Sequence, residues 1–287
     1  MPARLPPALP TLLVRDAVAA ALREDMGLAG DITSLATIPA EATATAVMDC
    51  REEGTLAGLD VAREAFLTLD PSLGFEGLAR DGDRLAPGAD VARITGNARS
   101  ILGAERVALN FVCHMSGIAT LTARYAEAIA HTKAKVVCTR KTLPGLRAFA
   151  KYAVICGGGA SHRYGLDDAV LIKDNHIAVC GGVRQAIVAA KAATGHLTKI
   201  EVEVDTLDQL AEALEAGPDV VMLDNMGPDE LRRGVAMVDG RIPVEASGNV
   251  NLGTIATIAE TGVDVISTSK ITMGAGTLDL GLDIEIA

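Results

Sequence analysis

From residue 135 onward the sequence repeats one pattern, a short apolar strand followed by a helical stretch. The predicted strands lie near residues 135–140, 169–174, 199–205, 220–225, 243–248 and 264–269. The predicted helices follow near residues 144–155, 181–194, 207–216, 228–238, 251–261 and 276–283. Strands that alternate with helices favour parallel βα units, so the two candidate folds are a doubly wound open sheet and a β/α barrel.

The polar residues within these strands favour the barrel. Residues two apart on a strand share a face, so Glu201, Glu203 and Asp205 point one way and their apolar neighbours point the other. On an open two-sided sheet these acids would meet the covering helices, whereas in a barrel they line one enclosed mouth opposite cations. Other predicted strands also carry polar residues near their C-terminal ends, namely Lys141, Lys173, Asp224, Glu245 and Ser247. The sequence therefore predicts an α/β protein with an incomplete, six-unit β/α barrel over residues 117–276.

A small α+β domain is predicted before the barrel, over residues 1–116 together with a linking helix. Its elements are a helix at 11–25, a strand at 41–50, a helix at 61–69 and short strands near 73–75 and 90–95. The linking helix covers 98–130, with a break expected at Ser116-Gly117 and with Arg106 inside its apolar stripe, where a guanidinium needs a partner. The tail 277–287 is expected to return to this domain.

Composition and charge exclude several classes of function. The 287 residues carry a formal net charge of −11, which argues against a nucleic-acid partner. The five cysteines are scattered and form no CxxC motif, so neither a zinc site nor a disulfide framework is expected. Prolines interrupt the start, MPARLPPALP, and no apolar run reaches membrane-spanning length. We expect a cytoplasmic protein without a membrane segment.

One stretch reverses the overall charge. Residues 135–176 hold seven lysines and arginines against three aspartates, and Arg140, Lys141 and Lys173 lie at the C-terminal ends of the first two predicted strands. The glycines at 157–159 and then His162-Arg163 lie between these strands. Cations delivered at strand ends beside a glycine-rich loop are typical of an anion site.

Small and hydroxyl residues mark the ends of the last two predicted strands. Ser247-Gly248-Asn249 and Thr268-Ser269 precede helices, a pattern that predicts a phosphate-binding turn, called the phosphate cradle below.

The residues alone leave two assignments open. Glu201 and Asp205 could instead belong to structural ion pairs, and Asp224-Asn225 could be an ordinary turn cap. No nucleophile paired with a base is apparent, and no GxGxxG follows a strand, so covalent catalysis and dinucleotide binding have little support.

Three motifs carry a resemblance to a known family: TRKTLPGLRAFAKYAV, GGGASHRYGL and DAVLIKDNHI. Together with GAERVALNFVCHMSGIAT, IEVEVDTL and VEASGNVNL, they resemble the quinolinate phosphoribosyltransferases over roughly residues 24–283. The resemblance implies that quinolinate and phosphoribosyl pyrophosphate (PRPP) give nicotinate mononucleotide, CO₂ and pyrophosphate, a step of de novo NAD biosynthesis. It also implies that Mg²⁺ arrives with PRPP, with Glu203 and Asp224 as the acids that could approach it and no site built from protein ligands alone.

The resemblance further assigns roles to residues. The acceptor's carboxylates would be held by Arg106, Arg140, His162, Arg163 and Lys173, and Thr139 would be a further substrate-binding residue. Lys141 would reach the pyrophosphate or a carboxylate, and Glu203 and Asp224 would bind ribose hydroxyls, so that Lys141, Lys173, Glu203 and Asp224 carry the catalysis. The 5′-phosphate would lie against Ser247, Gly248, Asn249, Thr268, Ser269 and Lys270. Family proteins are dimers, or hexamers built of dimers, in which the arginine corresponding to Arg106 enters the partner's site.

The sequence departs from the family at one point, and two other functions stay open. Where the family form reads Gly-Ala-Leu-Thr-His-Ser, this chain reads Ser269-Lys270-Ile271-Thr272-Met273-Gly274, so Lys270 would supply charge to a phosphate otherwise held by backbone N–H groups. A related group of molybdate-transport accessory proteins shares the fold. A Schiff-base aldolase using Lys173 is a third candidate, although an aldolase would not need a dicarboxylate clamp.

Overall fold

The computed structural model describes the backbone of residues 8–286. The helices are α1 (Thr11–Met26), α2 (Ile32–Thr37), α3 (Leu59–Leu69), α4 (Ala98–Ala128), α5 (Arg147–Cys156), α6 (Asp174–Cys180), α7 (Val183–Ala193), α8 (Leu207–Ala216), α9 (Pro228–Val238), α10 (Ile255–Ala259) and α11 (Lys270–Met273). The strands are β1 (Thr43–Cys50), β2 (Gly54–Thr55), β3 (Gly74–Gly77), β4 (Arg84–Leu85), β5 (Ala89–Asn97), β6 (Lys135–Val137), β7 (Val170–Ile172), β8 (Ile200–Val204), β9 (Val220–Asp224), β10 (Val244–Ser247), β11 (Val265–Ser267) and β12 (Leu280–Ile286). No helix among the described residues is both long and apolar enough to cross a membrane.

Two compact units divide the chain. The first runs through Ala123 and adds Ala148–Gly158 and the segment from Ala275; the second contains Arg124–Arg147 and Gly159–Gly274. The first unit is built on an antiparallel sheet in the order β12-β1-β5-β3, over which α1 packs against α3. Every second residue of β1 is buried, as period-two alternation over a one-sided core requires.

Two sequence predictions in the first unit are wrong. The final segment is not a helix over 276–283 but strand β12, which pairs with β1 because its alternating apolar residues fit a sheet with one buried face. The expected break at Ser116-Gly117 is absent, and α4 is continuous. A Cβ at Gly117 would lie 1.9 Å from the Gly276 carbonyl oxygen, so this glycine permits a close approach of two backbones rather than ending a helix.

The second unit confirms the incomplete β/α barrel. Its six parallel strands follow the order β6-β11-β10-β9-β8-β7. Successive strands from β7 to β11 are neighbours and the last pairs with the first, an order that a closed ring of strands requires and a doubly wound sheet does not produce. Among the described residues the ring is open between β6 and β7, where Ala160 makes a single parallel bridge to Val137.

Several barrel strands are shorter than predicted. The sequence extends the first two strands to residues 140 and 174, whereas β6 ends at Val137 and β7 at Ile172. Of the cationic residues that follow, Arg140 and Lys141 lie in the loop after β6, and Lys173 is the N-cap of α6. The predicted helix over 251–261 is reduced to α10, and the short α11 was not predicted.

Candidate active site

A lysine–carboxylate pair lies at the C-terminal ends of β7 and β8. Leu171 stands opposite Glu201 in the parallel register, so Lys173 and Glu203, two residues further on, share a level and a face. The Lys173 ammonium pairs with the Glu203 carboxylate, and Lys173 remains 43% exposed while Glu203 is 11% exposed. The parity argument from the sequence thus brings these two side chains together at the open mouth.

Asp224 ends the next strand and is oriented by its neighbour. Asp224 lies in register with Ser247, the last residue of β10. The Asn225 side-chain amide donates to the Asp224 carboxylate at 2.6 Å, and its backbone N–H donates to the Ser247 carbonyl at 2.9 Å. Asn225 adopts a left-handed backbone (φ 55°), which asparagine tolerates better than most residues. From the sequence, Asn225 could be an ordinary turn residue, and its contact with Asp224 was not predicted.

Gly248 makes room for that arrangement. A Cβ on Gly248 would lie 2.2 Å from the Asn225 side-chain oxygen and 2.9 Å from its backbone nitrogen, and the backbone of Gly248 is itself left-handed (φ 92°). The glycine is therefore required by its contact with Asn225, apart from any role beside a phosphate.

The guanidinium groups of Arg140 and Arg163 lie near each other after β6 and before β7. Arg163 donates from Nη1 to the Ala169 carbonyl at 3.1 Å, and burial followed by the nearby charge of Arg140 lowers the pKa of Arg163. Within the described residues the buried Nε of Arg140 has no hydrogen-bond acceptor. Two adjacent cations with a buried donor left over form a site that an anion would stabilise.

The first and last strands of the barrel meet through their loops. The Lys141 backbone N–H donates to the Thr139 hydroxyl at 3.0 Å, and the Lys141 carbonyl accepts from the Thr272 hydroxyl at 2.8 Å. The buried Thr268 hydroxyl accepts from the Lys270 N–H at 3.1 Å. Both lysine side chains are exposed at this junction, next to the small-residue turn that the sequence predicts as a phosphate cradle.

A buried cluster in the barrel interior was not predicted. His162 Nε2 lies 3.1 Å from a carboxylate oxygen of Glu201 and 3.6 Å from one of Glu245. Burial, and then the charge of Glu201, raises the pKa of Glu245 above its usual value. From the sequence, Glu201 could belong to a structural ion pair. The sequence pattern does not show how deeply a residue is buried, so it could not predict that these three residues meet. They are called the interior trio below.

Two family descriptions cover most of the chain. Residues 31–116 match the N-terminal domain of quinolinate phosphoribosyl transferase and residues 118–283 match its C-terminal domain. The chain belongs to the quinolinate phosphoribosyl transferase family. The resemblance carried by the three central motifs is therefore confirmed.

Individual members of the quinolinate phosphoribosyl transferase family match along nearly their whole length. The nicotinate-nucleotide pyrophosphorylase (carboxylating) of Mycobacterium leprae is 45% identical over 278 residues, which are 94% of this chain and 96% of that protein. The structure of NadC from Streptococcus pyogenes has a TM-score of 0.94 at 40% identity, covering 98% of this chain and all of that one. The nicotinate-nucleotide pyrophosphorylase from Francisella tularensis has a TM-score of 0.92 at 40% identity, covering 97% and 98%.

One residue predicted for this family's site lies in the other compact unit. Arg106 belongs to α4 in the first unit, where its side chain is 62% exposed and its guanidinium lies 3.8 Å from the Glu105 carboxylate. The expectation that Arg106 is buried in an apolar stripe is wrong, because Val107 and Leu109 face the core while Arg106 and Asn110 face outward. An exposed guanidinium on an exposed helix face needs no internal partner.

Proposed function

We propose that this chain transfers the phosphoribosyl group of PRPP to quinolinate with loss of CO₂, producing nicotinate mononucleotide and pyrophosphate. The observation that carries the proposal is the Arg140–Arg163 pair, whose buried unsatisfied donor matches a substrate carboxylate. Lys173, which follows β7, supplies a further cation, as a pyridine with two adjacent carboxylates requires. The matched relatives carry names for this reaction.

The remaining mouth residues serve the sugar and its phosphates. Glu203 and Asp224 bind ribose hydroxyls and stabilise positive charge that develops on the sugar, while Lys141 reaches the pyrophosphate. The turns at 247–249 and 268–270 hold the 5′-phosphate. Glycosylation makes the ring nitrogen cationic, which draws the electrons left by the departing carboxylate. The protein's contribution is positioning and electrostatics, because no covalent intermediate is needed.

Magnesium fits the acids at this mouth. Glu203 and Asp224 lie on adjacent parallel strands, and carboxylate oxygens suit a Mg²⁺ ion that retains water and substrate phosphate ligands. The ion supplies charge neutralisation for the pyrophosphate leaving group. Chelation with EDTA is expected to abolish turnover and added Mg²⁺ to restore it; full activity in EDTA would contradict this role.

The exposed position of Arg106 supports a homodimer with shared sites. A cation on an outward helix face is available to a second copy of the chain, whose acceptor site would receive it. Mixing Arg106→Ala chains with Lys173→Ala chains should regenerate a fraction of intact sites. Co-purification through two different tags verifies subunit exchange. Exchange without recovered activity would rule out the shared site, while leaving open dimers or hexamers with separate sites.

The direct test of the reaction follows carboxyl-labelled quinolinate. We expect labelled CO₂ and nicotinate mononucleotide in equal amounts, only when PRPP and Mg²⁺ are both present. Nicotinate should bind far more weakly than quinolinate, since each lost charge-assisted contact costs about 1.5–3 kcal/mol. No CO₂ release under these conditions, or equal affinity for the two acids, would contradict the proposal.

A further inference from the structure

One guanidinium group joins the two loops that carry cations of the acceptor site. Arg147 is the half-buried first residue of α5, and its Nε donates to the Thr142 hydroxyl at 3.3 Å. Its Nη1 donates to the Tyr164 carbonyl at 3.2 Å. Thr142 directly follows Arg140-Lys141, and Tyr164 directly follows Arg163. A single side chain therefore connects the loop after β6 to the loop before β7.

The turn before α5 explains how Arg147 reaches back to the loop it follows. The Leu146 N–H donates to the Leu143 carbonyl at 3.1 Å and closes a four-residue turn. Pro144 occupies the second position of this turn and Gly145 the third, where the backbone is left-handed (φ 79°). Proline restricts its own φ and glycine accepts a positive φ without strain, which is the residue pattern of a type II turn. The chain thus reverses directly before α5 begins.

The peptide group after Tyr164 is held from both sides. Its carbonyl accepts from Arg147, and its N–H, which belongs to Gly165, donates to the Asp168 carboxylate at 2.9 Å. The other Asp168 oxygen accepts the Tyr164 N–H at 2.6 Å. The imidazole of the interior trio accepts the Arg163 N–H at 2.7 Å. Three successive N–H groups and one carbonyl are therefore fixed at Arg163 and directly after it.

The Arg147 bridge holds two like charges together without neutralising them. Arg140 and Arg163 lie close enough for their charges to interact, so in the absence of an anion their loops repel each other. The two acceptors of Arg147 are a hydroxyl and a carbonyl, and no carboxylate among the described residues forms an ion pair with it. Both Asp168 oxygens accept a backbone N–H. The bridge therefore leaves the charge of the two arginines available to an acceptor carboxylate.

We infer that Arg147 is a positioning residue, which joins the loop of Arg140 to the loop of Arg163 and so sets the spacing at which these two guanidinium groups bind the acceptor carboxylate. This inference rests on the proposed function for the identity of the acceptor. Arg147 is one of the seven cations in residues 135–176, and the sequence analysis gave it no role in the site.

The test separates bridging from charge at Arg147. Arg147→Met keeps an apolar stem and removes both bonds, so the Kd of quinolinate, measured by calorimetry, should rise about tenfold. Arg147→Lys keeps the charge, but one ammonium does not reproduce the planar fork that reaches two acceptors, and its Kd should rise about fivefold or more. A Kd within about twofold of wild type in either variant would overturn the inference.

Arg241→Met is the matched control for the loss of a guanidinium that binds backbone carbonyls. Arg241 lies before β10, and its Nε donates to the Val238 carbonyl at 2.9 Å. This variant should lower the melting temperature and leave the Kd of quinolinate within about twofold. If Arg147→Met fails to fold, Thr142→Val removes one of the two bonds and keeps the shape of the side chain. It should raise the Kd about threefold, and an unchanged Kd would contradict the bridge.

A double-mutant comparison distinguishes positioning from direct contact. If Arg147 acts by setting the spacing of the two arginines, its loss should matter little once Arg163 is absent. Arg147→Met combined with Arg163→Met should then have a kcat/KM for quinolinate within about twofold of Arg163→Met alone. Losses that multiply would show that Arg147 acts on the acceptor independently, and would overturn the inference. If wild type neither binds quinolinate nor releases CO₂, the proposed function fails, a result distinct from unaffected variants of an active enzyme.

Discussion

The two ends of the barrel use charge in different ways. At the N-terminal end, Asp219 and Asp264 each stand immediately before a strand and perform two tasks. Asp219 accepts from the Lys199 ammonium at 2.7 Å and from the first backbone N–H of β8 at 2.9 Å. Asp264 accepts from the Lys133 ammonium at 2.7 Å and from the first backbone N–H of β10 at 2.9 Å. Each carboxylate satisfies a strand end and pairs with a cation from the same end.

At the C-terminal end only some of the charges are paired, as in the Lys173–Glu203 pair. Arg140 retains a buried Nε without an acceptor among the described residues, and Lys141 projects into solvent beside the last turn. The difference indicates that charged residues have separate roles at the two ends. The pairs at the N-terminal end stabilise the strands, whereas the C-terminal end keeps, beside the Lys173–Glu203 pair, cations that an anion would stabilise. Substitutions of similar chemistry at the two ends should therefore affect different measurements.

The largest effect is expected from Arg140→Met. Losing two charge-assisted contacts of about 1.5 kcal/mol each should lower kcat/KM by about two orders of magnitude. The free energy of unfolding should stay level or rise, because the variant removes a buried donor that lacks a partner. Lys199→Met at the opposite end is the control and should leave kcat/KM unchanged. A marked fall in melting temperature for Arg140→Met would show that the two ends are not divided in this way.

Asn225→Gly should give the next largest effect. Glycine keeps the left-handed backbone and removes only the amide that orients Asp224, so kcat should fall about tenfold while stability changes little. Asn225→Ala should lose the same activity and also about 1 kcal/mol or more of stability, because alanine is strained at a positive φ. Steady-state kinetics of the two variants measure the loss of the contact with Asp224, and urea unfolding measures the backbone strain of alanine. Full activity in both would show that Asp224 does not need this neighbour.

At the N-terminal end the expected effect is on stability. Asp264→Ala leaves a strand-end N–H without its acceptor and should cost about 1–3 kcal/mol of unfolding free energy. Asp264→Asn retains an oxygen for that N–H and loses only the exposed lysine pair, which should cost about 0.5 kcal/mol. Both variants should keep kcat/KM within about twofold of wild type. A large kinetic defect in either variant would contradict the separation of the two ends.

The sequence predicts the mouth of the barrel better than its interior or its base. Period-two alternation brings Lys173 and Glu203 together because a strand fixes which residues share a face. The same pattern does not say how deep a residue lies, so Glu201 and Glu245 could not be distinguished from mouth residues. The pairing of Lys199 with Asp219 could not be predicted, because Asp219 precedes the next strand and only the strand order makes the two residues neighbours. The final segment was assigned to a helix for a related reason: its pairing with β1 is a contact across the whole chain.

The smallest expected effect concerns the pH dependence of the Asp219 pair. The hydrogen bond from Lys199 is the largest cause that lowers the pKa of Asp219, and the Ile200 N–H adds to it against the opposing effect of burial. A carboxyl whose pKa is lower in the folded than in the unfolded chain stabilises the fold above its unfolded value of about 3.9, and that contribution disappears as the pH falls through the folded value. Asp219→Asn should therefore be less stable than wild type by about 0.5 kcal/mol at neutral pH, and the difference should shrink steadily below about pH 4.

Urea unfolding of both proteins from pH 7 downward measures this difference in unfolding free energy directly. Repeating the series in about 1 M salt should reduce the part due to the exposed lysine and leave the part due to the backbone N–H. A difference that stays constant as the pH falls would mean that the charge of Asp219 contributes nothing, and that the base of the barrel relies on backbone hydrogen bonding alone.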